Sequence, residues 1–182
     1  EPTAASRSRR PCNPTWASSA LPPADAKLVL GTAGHIDHGK TTLIHALTQD
    51  IGSDTVVATV PDPGLSLIDF YRYIAKSFGI KEPFETKQQF LEVFETFLLR
   101  NESSNKKVLL IIDESQNLSI EVLEEIRLLS NMETADEKLI NIFLIGQPEL
   151  NDTLNRIEYS PLLQRISIRY HIKTLDHKGT SN

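Results

Sequence analysis

Apolar and polar residues alternate along this chain in two kinds of block. Short apolar or β-branched runs stand at residues 27–32 (KLVLGT), 55–60 (TVVATV), 108–112 (VLLII), 139–145 (LINIFLI) and 166–172 (ISIRYHI). Between them, apolar residues recur every three or four positions. The first kind predicts strands and the second helices. Ser66, with Asp69 three residues on, predicts a capped helix start. That helix carries Phe70, Tyr73, Ile74 and Phe78 and stops at Gly79, the expected residue after a helix end. Thr86 with Gln89 repeats the signal for a helix whose apolar face is Phe90, Phe94, Phe97 and Leu98. Further helices are expected over 40–48, 119–131 and around 149–155. The 108–112 run is apolar throughout, as suits a central parallel strand covered on both faces. Strands alternating with helices predict an α/β fold with a parallel sheet.

Residues 1–26 break the pattern. Six Ala, five Pro and four Ser dominate them, with no hydrophobic period, so the segment is expected to be a disordered tail. Arg7, Arg9 and Arg10 among serines are also features of organelle-targeting peptides, but no amphipathic pattern accompanies them. The folded domain is therefore expected over 27–176, with 177–182 a disordered end. The single methionine is Met132, and the chain starts at Glu1; a fragment or processed piece is the expectation.

Composition narrows the class. Of 182 residues, 40% are apolar and 24% charged, which fits one globular domain. No run approaches the roughly 18 apolar residues of a membrane helix. The single cysteine, Cys12, excludes an internal disulfide and a cysteine-rich zinc site. The net charge of −5 is a poor match for a general nucleic-acid coat.

The chemistry starts at Gly34-His35-Ile36-Asp37-His38-Gly39-Lys40-Thr41, which fits G-x-x-x-x-G-K-[ST] between a predicted strand and a predicted helix. Glycines let successive backbone N–H groups turn inward on a phosphate, and a helix N-terminus adds positive potential. Lys40 is expected to reach the β- and γ-phosphates. The Thr41 hydroxyl is expected to ligate Mg²⁺, with Thr42 next to it on the nucleotide. His35 and His38 lack an evident third partner for zinc. Asp37 is expected to turn away from the phosphates.

Asp113-Glu114 ends the 108–112 run. In a parallel sheet the carboxyl ends of strands line the ligand crevice, so both carboxylates are expected near the phosphate loop. Asp113 would hold Mg²⁺ through water. Glu114 would orient or deprotonate the water that attacks the γ-phosphate. Gln147, after the next strand, could sense that phosphate. Asn117 is a weaker candidate that could simply cap a helix. Arg165 could act as an arginine finger on a neighbouring subunit's nucleotide, although it and Arg169 also read as ordinary surface arginines.

Two resemblances follow from these residues. Residues 27–48 (KLVLGTAGHIDHGKTTLIHALT) resemble the opening of the selenocysteine-specific elongation factor, a GTPase. Residues 50–176 resemble the ATPase domain of the general (type II) secretion pathway protein A family, a branch of the AAA-type ATPases. The carrying segments are DTVVATVPDPGLSLIDFYRYIAKSFGI, VLLIIDESQNLSIEVLEEIRLLSN, IFLIGQPEL and LLQRISIRYHIKTLD. The second match is longer and holds several motifs in order. It implies that Asp113-Glu114 is a Walker B site, that Gln147 follows a sensor strand, and that Arg165 stands at a family arginine. The guanine-reading N-K-x-D of the elongation factor is missing. A join between two P-loop genes near residues 42–50 would account for the mixture.

The secretion-ATPase resemblance implies a three-layer α/β/α P-loop NTPase sandwich of about five parallel strands in order 5-1-4-3-2. An elongation-factor fold would instead place the 27–32 and 108–112 strands side by side. The helical lid that normally follows the last strand is expected to be absent. The implied activity is Mg²⁺-dependent ATP hydrolysis driving assembly of a secretion complex. Implied partners are nucleotide, further copies of the chain, or a membrane protein of the complex. The implied place is the cytoplasm beside the inner membrane. The competing readings are a GTP-binding translation-factor fragment, a DNA-transposition helper ATPase, and an inactive fragment.

Overall fold

A computed structural model of the chain describes residues 28–33, 54–61, 64, 66–135, 137–155, 160–164 and 166–172. The residues 1–26 segment, the phosphate-loop residues 34–42, the 40–48 helix and Arg165 lie outside the described residues.

The described chain runs β1 (Leu28–Ala33), β2 (Thr55–Val60), α1 (Leu67–Ser77), α2 (Lys87–Ser103), β3 (Lys107–Ile112), α3 (Ile120–Leu129), β4 (Asn141–Gly146), α4 (Glu149–Leu154), α5 (Ser160–Leu163) and β5 (Ile166–Ile172). A 3₁₀ turn, Ser115–Asn117, follows β3. The strands form one parallel sheet in the order β2-β3-β4-β1-β5, the expected order read from the other edge. β4 separates β1 from β3, so the elongation-factor arrangement is not the one found.

The helix starts are set by local chemistry. Ser66 Oγ accepts the Asp69 N–H, and Thr86 and Gln89 form a complete capping box at α2. Gly79, at φ 71°, takes the left-handed conformation that ends α1. Two expectations shift. Tyr71 rather than Tyr73 is the fully buried tyrosine of α1, because that helix buries a wide stripe of Phe70, Tyr71, Ile74 and Ala75. Leu139 and Ile140 are buried but precede β4. There the chain turns back on itself, with a Glu133–Lys138 bridge and a bond from Leu139 N–H to the Met132 carbonyl.

Sheet order and handedness explain the layering. Going from β2 to β3 to β4, and from β4 to β5, the chain moves in one direction across the sheet. Right-handed crossovers then gather α1–α5 on one face. The packing agrees: Leu30, Val60, Leu110, Ile112, Ile142 and Leu144 join the side chains of these helices in one core. Residues one position away in the pleat, including Val29, Leu109, Ile111, Phe143 and Ile145, point to the opposite face and are also buried. The sheet is therefore covered on both sides, as a three-layer sandwich requires. Tyr71 stacks on Phe90 and Phe90 on Phe94, with centroids 4.5 and 5.2 Å apart, locking α1 to α2.

Candidate functional site

The carboxyl ends of the strands define the site. From β4 the chain proceeds toward β5 on one side, and from β1 it proceeds toward β2 on the other. The adjacent ends of β1 and β4 therefore flank a topological switch point, where open parallel sheets bind ligands. Thr32 pairs with Gly146 in register, so Gln147 and Ala33, the residues that follow this pair, stand side by side at the carboxyl edge. Asn151 of α4 lies 3.5 Å from the Thr32 hydroxyl, a long contact that spans the two ends.

β3 brings the acidic pair to the same edge. Ile112 is in register with Leu144 of β4, and the Asp113 N–H continues the ladder by donating to the Val60 carbonyl at 2.8 Å. With one strand between them, the ends of β1 and β3 stand about 10 Å apart, two inter-strand spacings. Asp113 Oδ1 accepts the Glu114 N–H at 2.8 Å. Glu114 takes a left-handed backbone conformation, φ 49°, uncommon outside glycine. This turn lifts the chain out of the strand and into the 3₁₀ segment. Both carboxylates are half-buried.

Gln116 stands out here and carries no signal as a lone residue in the sequence. Its Nε2 donates to Glu114 Oε2. Its Oε1 accepts the backbone N–H of Gln147 at 3.0 Å, across 31 positions of sequence. The carboxamide thus bridges the β3 exit and the β4 exit. Ser115 is buried and bonds back to the Ile112 carbonyl at 2.8 Å, which holds the 3₁₀ turn against the strand. Asn117 is exposed and its N–H closes the turn on the Glu114 carbonyl, in keeping with a local structural part.

Of the residues singled out in the sequence, Asp113, Glu114 and the Gln147 backbone converge at the edge where β1 ends. Gly34, His35, Ile36, Asp37, His38, Gly39, Lys40, Thr41, Thr42 and Arg165 lie outside the described residues. The half-buried carboxylate of Asp113 is a hard oxygen donor of the kind Mg²⁺ takes, and the ion typically binds through one or two carboxylates plus phosphates.

A second buried polar group lies away from this edge. Glu125 of α3 is 6% exposed and pairs with Lys87 at the start of α2. Burial holds the Tyr71 phenol well above its ordinary pKa, and the neighbouring Glu125 carboxylate raises it further.

Comparison with known proteins agrees with this geometry. The family model described as AAA domain matches residues 28–154, a span that includes both the phosphate-loop segment and residues 42–50. General secretion pathway protein A of Aeromonas hydrophila is 35% identical over 146 residues, covering 80% of this chain and 27% of that protein. The chain thus spans about a quarter of its relative's length. Among solved structures, the ADP form of Aeropyrum pernix ORC2 matches with a TM-score of 0.62 at 16% identity, over 82% of this chain and 43% of that one. Drosophila ORC bound to DNA matches with a TM-score of 0.59 at 14% identity, over 82% and 38%. These likenesses concern the fold. With the strand order, the carboxyl-end acidic pair and the family match taken together, the chain belongs to the AAA domain family.

Proposed function

We propose that this chain is the ATP-binding and ATP-hydrolysing core, over residues 27–176, of a motor that serves assembly of a secretion complex. The observation that carries the catalytic part is the convergence of Asp113 and Glu114 with the β1 exit at the switch point. Gly34 to Thr42 would wrap the phosphates with backbone N–H groups, and Lys40 would neutralise their charge. Mg²⁺ bound with the nucleotide supplies positive charge to the phosphate oxygens, and Thr41 and Asp113 are the residues that would hold it. Glu114 would take the proton of the attacking water. Gln147 would sense the γ-phosphate, and Arg165 would act on the nucleotide of a neighbouring copy.

The secretion role comes from the likeness to General secretion pathway protein A. It implies work at the cytoplasmic side of the inner membrane with a membrane partner. No helix among the described residues is long and apolar enough to cross a membrane. The GTP reading loses support because β4 stands between β1 and β3.

Binding of a fluorescent ATP analogue tests the nucleotide part. ATP is expected to displace it better than GTP. Lys40→Ala is expected to weaken binding about tenfold or more, the loss of one charged hydrogen bond. Preferential displacement by GTP, or unchanged binding by Lys40→Ala, would overturn the reading.

A further inference from the structure

We propose that Gln116 is the positioning residue for Glu114, tying the carboxylate of the proposed base to the backbone of the β4–α4 turn. The inference rests on the reading of Glu114 as the hydrolytic base. Three observations carry it. Gln116 Nε2 donates to Glu114 Oε2. Gln116 Oε1 accepts the Gln147 N–H at 3.0 Å. Gly146 supplies the room, since a Cβ there would lie 2.9 Å from Gln116 Oε1.

The side-chain chemistry is specific. A carboxamide carries both a donor and an acceptor, and this position uses one of each. Glutamate could accept from Gln147 but could not donate to Glu114 when ionised. Asparagine is one methylene too short to span both partners. Leucine makes neither bond.

Gln116 fixes the direction of one Glu114 oxygen and couples its position to the turn at Gln147. A displacement of that turn would pass to Glu114 through two hydrogen bonds. The left-handed backbone at Glu114 makes such a tether useful, because the residue sits outside the regular strand ladder.

The test uses the full chain labelled with ¹⁵N in glutamine side chains. The Gln116 amide signal is identified by its absence in Gln116→Leu and compared at one pH between the wild-type chain and Glu114→Ala. The bond to Glu114 predicts that the signal moves and its amide protons exchange faster with water in Glu114→Ala. An amide signal whose position and exchange ignore Glu114→Ala overturns the proposal.

A second arm reads single-turnover ATP hydrolysis. Gln116→Glu keeps the acceptor for Gln147 but sets a second carboxylate against Glu114. It is expected to lower the rate about tenfold or more. Nucleotide affinity is expected to stay at the wild-type value, so that the loss falls on the rate and not on binding. A wild-type rate in Gln116→Glu, or a loss that reflects weaker nucleotide binding, overturns the positioning role. Hydrolysis by Glu114→Gln at the wild-type rate overturns the base reading, and the positioning role with it, whatever the amide signal does. An inactive Glu114→Gln, with a Gln116 amide signal that ignores Glu114→Ala, overturns the positioning role alone.

Discussion

Gly146 and Gln116 stand so close that a side chain at position 146 would have to displace the Gln116 carboxamide. A Cβ on Gly146 would meet Gln116 Oε1 at 2.9 Å, Leu150 Cδ2 at 3.0 Å and Gln116 N at 3.3 Å. The last residue of β4 and the 3₁₀ turn after β3 are thus packed backbone against side chain at the carboxyl edge of the sheet. Gly146→Ala must push the Gln116 carboxamide or Leu150 aside. Overpacking of this kind typically destabilises by about 1–3 kcal/mol. Urea unfolding should show an unfolding free energy lowered to that extent, seen as a lower midpoint, with a parallel fall in phosphate release.

Gly79 makes the opposite case. Nothing lies within 4 Å of a Cβ added there, so space does not require glycine. Its φ of 71° does. Gly79→Ala should cost about 1–2 kcal/mol through backbone strain alone. Gly79→Asn should cost less, since asparagine tolerates the left-handed region. Equal losses for the two variants would contradict this account.

The capping box at α2 gives a third prediction. Thr86 Oγ1 accepts the Gln89 N–H, and Gln89 Oε1 accepts the Thr86 N–H at 3.2 Å. Thr86→Ala should destabilise by about 1 kcal/mol in thermal or urea unfolding, and Thr86→Ser by much less.

Stability should fall at both ends of the pH scale. At the acid end, Asp69 is held below the usual carboxylate pKa by the Ser66 hydroxyl and Arg72. Glu124 is held down chiefly by its hydrogen bond from Arg127. Depressed carboxylates contribute stability above their unfolded pKa, and the contribution is lost as pH falls through the folded one. At the alkaline end, the raised Tyr71 phenol stays protonated in the fold while the unfolded chain ionises near pH 10. Its contribution is complete below pH 10 and declines as pH rises past it. Tyr71→Phe should flatten the alkaline decline in stability and leave the acid decline unchanged.

Much of the architecture was legible because the signals were local. The unbroken VLLII run reads as a buried central strand, and β3 is buried from Val108 to Ile112. Ser66 and Thr86 announce α1 and α2 through side chains that bond within three residues. The strand order was legible only through family resemblance, since hydrophobic period says nothing about which strands pair. Tyr71 lies outside the single helical stripe that the sequence marks, whereas α1 packs against β2, α2 and α3 together. Leu139 reads as strand because burial and ladder pairing look alike in sequence.

The candidate site divides the same way. Asp113-Glu114 is marked by its place after an apolar run. Gln116 is not, because its part depends on a Gln147 N–H 31 positions away and on the missing side chain at Gly146. A glycine closing a strand beside an acidic-pair turn was the available hint, but it acquires meaning only when the two turns are seen to touch.

The most direct test of the central claim is single-turnover phosphate release from Mg-ATP by the wild-type chain and by Glu114→Gln. Removing a general base typically costs about 10²–10⁴-fold in rate. The account predicts a loss in that range with ATP affinity retained. Phosphate release by Glu114→Gln at the wild-type rate would contradict it.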